Sequence, residues 1–139
     1  MEDHKIAVLI KKASLEFDKL SNQILYPCEL THTQFKLLMH LYKNTQEAPR
    51  QIDLEKYFSM TNPTMTGVLR NLERKGLIIR VVHAKDKRSK LIELSDQAVA
   101  MKAEMMVAAQ SLEQKITHHL TEKEQLELSR LLMRLLGKD

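Results

Sequence analysis

Apolar side chains recur every three or four residues through most of the chain, which is the spacing of one face of an α-helix. The first run predicts a helix over about residues 3–25 that ends before Pro27. Its apolar positions are Ile6, Leu9, Ile10, Ala13, Phe17, Leu20 and Ile24. Thr31 and Gln34 have the spacing of a capping box and predict the start of a second helix, which extends to about Tyr42.

Two further helices are predicted across the middle of the chain. A short third helix is indicated around Leu54, after the polar connection 43–50. The fourth is expected to begin with Asn62 as its N-cap, followed by Pro63, and to stop at Gly76. Its predicted core-facing positions are Met65, Val68, Leu69 and Leu72.

The pattern changes after Gly76, where β-branched and apolar residues flank a charged segment. Residues 77–82 and 91–94 predict a β-hairpin whose loop runs from His83 to Lys90. Two long helices follow, the fifth capped by Ser95 and the sixth starting near residue 121.

Composition supports a mainly α fold with a small β-hairpin and six helices. The 139 residues include only 3 glycines and 3 prolines, and aromatic residues make up 4%. Such a chain is poor in turn formers and β-favouring rings, which argues against an all-β or a Rossmann architecture. We expect one domain over residues 1–139.

Most of the net charge of +4 is concentrated in the hairpin loop. Four cations there stand against one acid, namely Lys85, Lys87, Arg88 and Lys90 against Asp86. A helix, a turn, a second helix and then a basic hairpin is the order that places one helix in a major groove of DNA and a loop over the neighbouring groove. A merely solvated charged turn is the alternative interpretation of the loop.

The fourth helix is therefore the candidate reading helix, from Asn62 to Lys75. The face opposite its apolar positions carries Thr64, Thr66, Gly67, Arg70, Asn71 and Arg74. Arginine pairs bidentately with guanine and asparagine with adenine, while threonine hydroxyls suit phosphates. We expect Arg70 to contribute most to base recognition.

The hairpin tip has the residues expected of a minor-groove contact. Arg88 is a long cation that is readily desolvated in a narrow, negative groove. Asp86 is expected to hold the Arg88 guanidinium in place by a charged hydrogen bond. Lys87 is expected to reach the minor groove together with Arg88 and to contact phosphate.

These segments resemble the MarR (multiple antibiotic resistance regulator) family of winged-helix repressors. The similarity is strongest in residues 64–78, which are like that family's recognition helix ending in Leu-Glu-x-x-Gly-Leu-Ile. The stretch from Asp86-Lys87-Arg88 to Leu94-Ser95 is similar to its wing signature, and residues 30–35 are like the start of its second helix. Many members have Arg at the position of Gly67 and Asp-Arg in place of Arg70-Asn71, so operator preference does not carry over.

The resemblance implies a homodimer on a pseudo-palindromic operator, and repression relieved by a small ligand or an oxidant. It also implies a DNA-binding lobe at 31–95 and dimerisation helices at 1–25 and 96–139. The leucine-rich terminal helices favour a dimer independently, because they carry more apolar surface than a small wing domain can cover. A satisfied pair of helices within one chain is the alternative.

The remaining chemistry-bearing residues indicate no catalytic or metal site. Cys28 is expected to be an inert thiol whose pKa the neighbouring Glu29 raises, rather than an oxidant sensor. His118 and His119 are expected to be surface residues on different sides of a helix, unlike a zinc pair. His32 and His40 are interpreted as solvated or core residues, with a ligand pocket as the alternative.

We therefore expect a cytoplasmic regulator that is not an enzyme, needs no cofactor and has no membrane segment. The single cysteine and the lack of a leader pattern favour the cytosol. Two other functions remain open on the same fold, a small-molecule sensor or carrier without DNA binding and a protein-interaction adaptor.

Overall fold

The computed structural model describes residues 4–44, 46–82, 85 and 89–138. These residues fall into two compact units. One is built from the chain up to Ile24 and from Ala108 onward, and the other from Leu25–Val107. The single domain with a lobe at 31–95 and dimerisation helices at 1–25 and 96–139 stays a prediction.

Seven α-helices and one hairpin make up the regular structure of the described residues. The helices are α1 (Ile6–Leu25), α2 (His32–Lys43), α3 (Gln51–Phe58), α4 (Asn62–Arg74), α5 (Asp96–Ala100), α6 (Lys102–Thr117) and α7 (Glu122–Leu135), with a short 3-10 turn at Tyr26–Cys28. The mainly α fold class is confirmed. The count exceeds the predicted six because the fifth predicted helix is interrupted at Met101, whose N–H is shared between the carbonyls of Gln97 and Ala98.

The core of the Leu25–Val107 unit is made by the helices α2 to α4 and by the hairpin. Its fully buried side chains include Leu37, Leu38, Leu54, Met65, Leu69, Leu72 and Ile92. Val68, which the helical spacing assigns to the core, is half-buried. The chain turns from α3 to α4 through Ser59, whose left-handed φ of 52° ends α3 within one residue. The pair α3–α4 is thus a helix-turn-helix.

The hairpin consists of β1 (Ile78–Val82) and β2 (Lys90–Leu94), which pair antiparallel with Arg80 opposite Ile92. Lys90, assigned to the loop from sequence, is the first residue of β2. The opposite edge of β2 is also paired. Arg50 forms an isolated bridge with Leu91, and the Ile92 N–H donates to the Pro49 carbonyl at 2.8 Å.

The unit that contains α1 and α7 leaves much apolar surface uncovered. None of the fourteen residues of α7 is buried, although leucine recurs along it. Its exposed apolar side chains are Leu126, Leu128, Leu131, Leu132, Met133 and Leu135. The described helices include none that is long and apolar enough to cross a membrane.

Candidate nucleic-acid interface

The start of α4 is set by Thr61, which corrects the prediction that Asn62 is the N-cap. The Thr61 hydroxyl accepts a hydrogen bond from the Thr64 N–H at 3.3 Å, and Thr61 has the extended backbone of an N-cap. Asn62 is already helical, and its amide donates to Glu55 Oε2 at 2.9 Å. The N–H groups of the first helical turn have no acceptor within the helix, so a proline anywhere in that turn loses no hydrogen bond. The N-cap can therefore lie two residues before Pro63.

The end of α4 is a Schellman motif at Gly76, as the helix stop in the sequence predicts. Gly76 has a φ of +75°, its N–H bonds the Glu73 carbonyl, and the Leu77 N–H bonds the Leu72 carbonyl at 2.9 Å. Ser95 Oγ then donates to the Gly76 carbonyl at 2.7 Å, which ties the start of α5 to this turn. Both ends of the candidate reading helix are thereby fixed by local hydrogen bonds.

One face of α4 is anchored in the core and the other is open to solvent. The residues Thr64, Gly67, Arg70, Asn71 and Arg74 are exposed, whereas Met65, Leu69 and Leu72 are fully buried. Among the described residues, nothing forms a hydrogen bond or an ion pair with the Arg70 guanidinium. Arg74 Nη1 donates to Asn71 Oδ1 at 3.2 Å, and no described residue accepts a hydrogen bond from Asn71 Nδ2.

Thr66 differs from the other predicted contact residues because it is half-buried. Its hydroxyl accepts from Gln51 Nε2 at 2.8 Å, and Gln51 also donates to Glu55 Oε2 at 3.1 Å. Thr66 therefore connects α4 to α3 within the helix-turn-helix. The expected role of Thr66 in DNA contact stays a prediction.

Arg80 belongs to this polar network and was missed by the reasoning from sequence. Its Nε donates to Glu73 Oε1 at 2.7 Å, and its Nη1 lies 3.5 Å from Gln51 Oε1. Arg80 thus joins the hairpin to α4 and α3. A lone arginine inside the apolar strand Ile78–Val82 was the signal that could have identified it.

A cavity of about 370 Å³ lies between α3, the start of α4 and the hairpin. The described residues of its lining include the cations Arg50, Arg80 and Lys90 and the acid Glu55. Arg50 is partly neutralised by an ion pair with Asp53, its Nε lying 3.4 Å from Oδ2. Arg80 is paired in the same way with Glu73, its Nε lying 2.7 Å from Oε1, so the described lining has no clear excess of positive charge.

The hairpin tip is described only in part. Lys85 and Lys90 are exposed. Asp86, Lys87 and Arg88 lie outside the described residues, so the predicted Asp86–Arg88 contact stays a prediction.

Cys28 lies in surroundings that raise the pKa of its thiol. Burial raises its pKa, and the hydrogen bond that Sγ donates to Glu104 Oε1 at 3.5 Å raises it further. The direction agrees with the expectation from sequence, but the carboxylate is Glu104 on α6 and not the adjacent Glu29. A thiol with a raised pKa reacts slowly with oxidants.

The histidines form ring contacts. His118 and His119 are exposed as expected, but the prediction that they point to different sides is wrong, since their ring centroids lie 3.8 Å apart. They follow the last residue of α6, where helical geometry no longer separates neighbours. His40 packs against Tyr57 at 4.1 Å, and burial lowers its pKa. No group of three or more metal-ligating side chains occurs in the described part of the chain.

An anchored, polar-faced α4 preceded by α3 and followed by a basic hairpin defines a winged helix-turn-helix protein. A profile described as the MarR family matches residues 30–90, from the end of the 3-10 connection to the start of β2. S. aureus MepR, solved in complex with DNA, is 30% identical over 97% of this chain and 98% of its own, with a TM-score of 0.86.

Two other structures are similar over nearly their whole length. A variant of E. coli MarR in complex with operator DNA is 29% identical, over 97% of this chain and 96% of its own, with a TM-score of 0.85. A probable transcriptional regulator from Pseudomonas aeruginosa is 28% identical, over 97% and 99%, with a TM-score of 0.86. The chain belongs to the MarR family of transcription regulators.

Proposed function

We propose that this chain is a cytoplasmic regulator without catalytic activity that binds duplex DNA sequence-specifically as a homodimer. It represses transcription from a pseudo-palindromic operator and is released by a small ligand or stress signal. The observation that carries the DNA-binding proposal is α4, whose buried triad Met65, Leu69 and Leu72 orients an exposed row of hydrogen-bonding side chains.

The residues of that row divide into two roles. Arg70 and Asn71 read base edges in the major groove, because their side chains match guanine and adenine. Asn62, Thr64, Thr66 and Arg74 position the helix on the backbone, as phosphate contacts generally do. Lys85, Lys87, Arg88 and Lys90 carry the hairpin over the adjacent groove, with Asp86 as the brace of Arg88.

The solved relatives support this proposal. One MepR structure and one MarR structure, each similar over 97% of this chain, were determined with DNA, and in the case of MarR the DNA is an operator. Their similarity covers 97% of this chain, so it includes the helix-turn-helix and the hairpin as well as the terminal helices.

The uncovered apolar face of α7 supports the homodimer. A helix of fourteen residues is marginal in water without tertiary packing, yet none of these residues is buried in the single chain. A second copy supplies an identical apolar face and closes the assembly by two-fold symmetry. Two reading helices then address half-sites one turn of DNA apart, about 34–36 Å.

Salt dependence tests the proposal directly. A duplex selected from a random pool is titrated with the protein by fluorescence anisotropy at increasing salt. Counterion release predicts that log K falls against log[salt] with a slope of about −0.9 per phosphate neutralised. Several contacts per dimer give a steep line, and a flat line would refute DNA binding as the function.

Two variants separate base reading from backbone contact. Arg70→Ala is expected to reduce discrimination at one or two base pairs by about 1–3 kcal/mol each. Lys87→Ala is expected to weaken all sequences alike and to flatten the salt slope by about one unit. Lys102→Ala, which removes an exposed charge at the start of α6, is the control. A Lys87→Ala variant that changed only base preference would contradict the assigned roles.

A further inference from the structure

Lys75 follows α4 directly, and its ammonium is directed to the connection between α1 and α2. Nζ donates hydrogen bonds to the Glu29 carbonyl and, at 2.9 Å, to Gln34 Oε1. These acceptors precede Lys75 by 46 and 41 residues, so the contact is a tertiary one. Lys75 is exposed as a residue, but its ammonium donates to these two protein acceptors.

Both acceptors are held in place by other contacts. Glu29 caps the 3-10 turn in a left-handed conformation with a φ of 56°, and its N–H bonds the Tyr26 carbonyl at 3.0 Å. Gln34 is buried, and its Oε1 also accepts from the Thr31 N–H at 3.2 Å as part of the capping box of α2. The ammonium therefore meets a preformed pair of oxygens.

This bridge acts on the C-terminal end of α4, where the described residues make no side-chain hydrogen bond to α3. The first half of α4 is connected to α3 by the Asn62–Glu55 and Thr66–Gln51 hydrogen bonds. Lys75 provides a corresponding connection from the last turn to α2. Two connections at opposite ends of a helix restrict its tilt, and bidentate pairing with a base edge depends on tilt.

We infer that Lys75 is a positioning residue, which holds the C-terminal end of α4 at the angle required for base reading and contacts no phosphate. The inference rests on the proposed DNA-binding function. Charge alone would assign Lys75, next to Arg74, to the phosphate backbone. The hydrogen bonds to Glu29 and Gln34 argue against that assignment because they engage the ammonium on the protein.

The full-length Lys75→Met variant tests this assignment, because it keeps the stem and removes the donors. Its affinity for the selected duplex is expected to fall about tenfold, at a temperature well below unfolding, while the salt slope stays that of the wild type. Lys102→Met, with the same charge loss, should bind like the wild type. A slope flattened by about one unit would show a phosphate contact and overturn the inference, as would an unchanged affinity.

Gln34→Glu provides a second variant that acts on the acceptor. Glutamate keeps the capping box and offers the ammonium a charged partner. With Lys75 present, Gln34→Glu is expected to bind the duplex as tightly as the wild type or more tightly. In the Lys75→Met variant, Gln34→Glu is expected to give no gain in affinity. A double-mutant cycle measures this coupling between the two positions. An equal gain in both backgrounds would overturn the inference.

Hydrogen exchange without DNA keeps this test independent of the proposed function. Lys75→Met is expected to accelerate exchange of the amides at residues 75–77, which form the last bonds of α4, and Lys102→Met is not. Unchanged exchange in Lys75→Met would overturn the bridge itself. Failure of the wild-type protein to bind DNA would instead refute the proposed function.

Discussion

Gly67 lies in the middle of α4, and its replacement by alanine has a calculable effect on stability. Its φ is not positive, and a Cβ built on it meets no atom within 4 Å. Neither backbone conformation nor packing therefore requires glycine here. Alanine removes the entropic disadvantage of glycine in a helix, so Gly67→Ala should raise the free energy of unfolding by about 0.5–1 kcal/mol.

Gly76→Ala is the matched control with the opposite expected sign. Gly76 has a φ of +75°, and its added Cβ would lie 3.4 Å from Gln97 Oε1. A left-handed conformation disfavours any residue with a Cβ by roughly 1–2 kcal/mol, so this variant should unfold more easily. Thermal unfolding followed by circular dichroism, at one protomer concentration for all proteins, measures both changes.

DNA binding of Gly67→Ala should change in the opposite direction from its stability. The glycine lies on the exposed face between Thr64 and Arg70, where a bare backbone allows the closest approach to base edges. A methyl group there is expected to weaken binding to the selected duplex. A melting temperature of Gly67→Ala below that of the wild type would show that a Cβ does not fit at position 67. An unchanged affinity for the duplex would show that the backbone at position 67 does not approach the bases closely.

Three further changes test other parts of the structure. Thr61→Ala should lower the free energy of unfolding, measured by urea titration, by about 1 kcal/mol, and Asn62→Ala should lower it by clearly less. A larger loss in Asn62→Ala than in Thr61→Ala would identify Asn62 as the N-cap. Leu126→Glu, at a side chain that is 75% exposed in the single chain, should convert dimer to monomer in sedimentation equilibrium, and an unchanged mass would exclude α7 from the interface. Glu104→Gln should lower the pKa of Cys28, because the acceptor carboxylate is removed while burial remains. The thiolate fraction at pH 8 should then rise, and with it the rate of alkylation by iodoacetamide. An unchanged rate would contradict the Cys28–Glu104 contact.

Local signals in the sequence were sufficient for most of the fold. The capping box at Thr31 and Gln34, the helix stop at Gly76 and the hairpin after it were all predicted correctly. Each depends on residues within a few positions of one another, so spacing alone can reveal it. The misassigned N-cap is of the same local kind, since both Thr61 and Asn62 are good capping residues and only geometry distinguishes them.

Contacts between distant segments could not be predicted in this way. Arg80 reaches Gln51 across 29 positions and Cys28 reaches Glu104 across 76, and no periodicity in the chain relates these residues. The same holds for Lys75, which looks like one more surface cation until its acceptors are known. The cations and the buried face of α4 were therefore identifiable from sequence, whereas the side-chain hydrogen bonds that connect distant segments were not.

The second edge of β2 has a consequence for how this protein can diverge. The alignment of two hairpin strands usually depends on the turn that joins them. Here β2 is also aligned by the Arg50–Leu91 bridge and by the Ile92 bond to Pro49, neither of which involves the tip. Insertions or deletions between Val82 and Lys90 can thus accumulate without shifting Ser95 and the helix it caps. If the proposed function holds, a connection grafted from another member of the family is expected to change DNA contacts while Ser95 keeps its place.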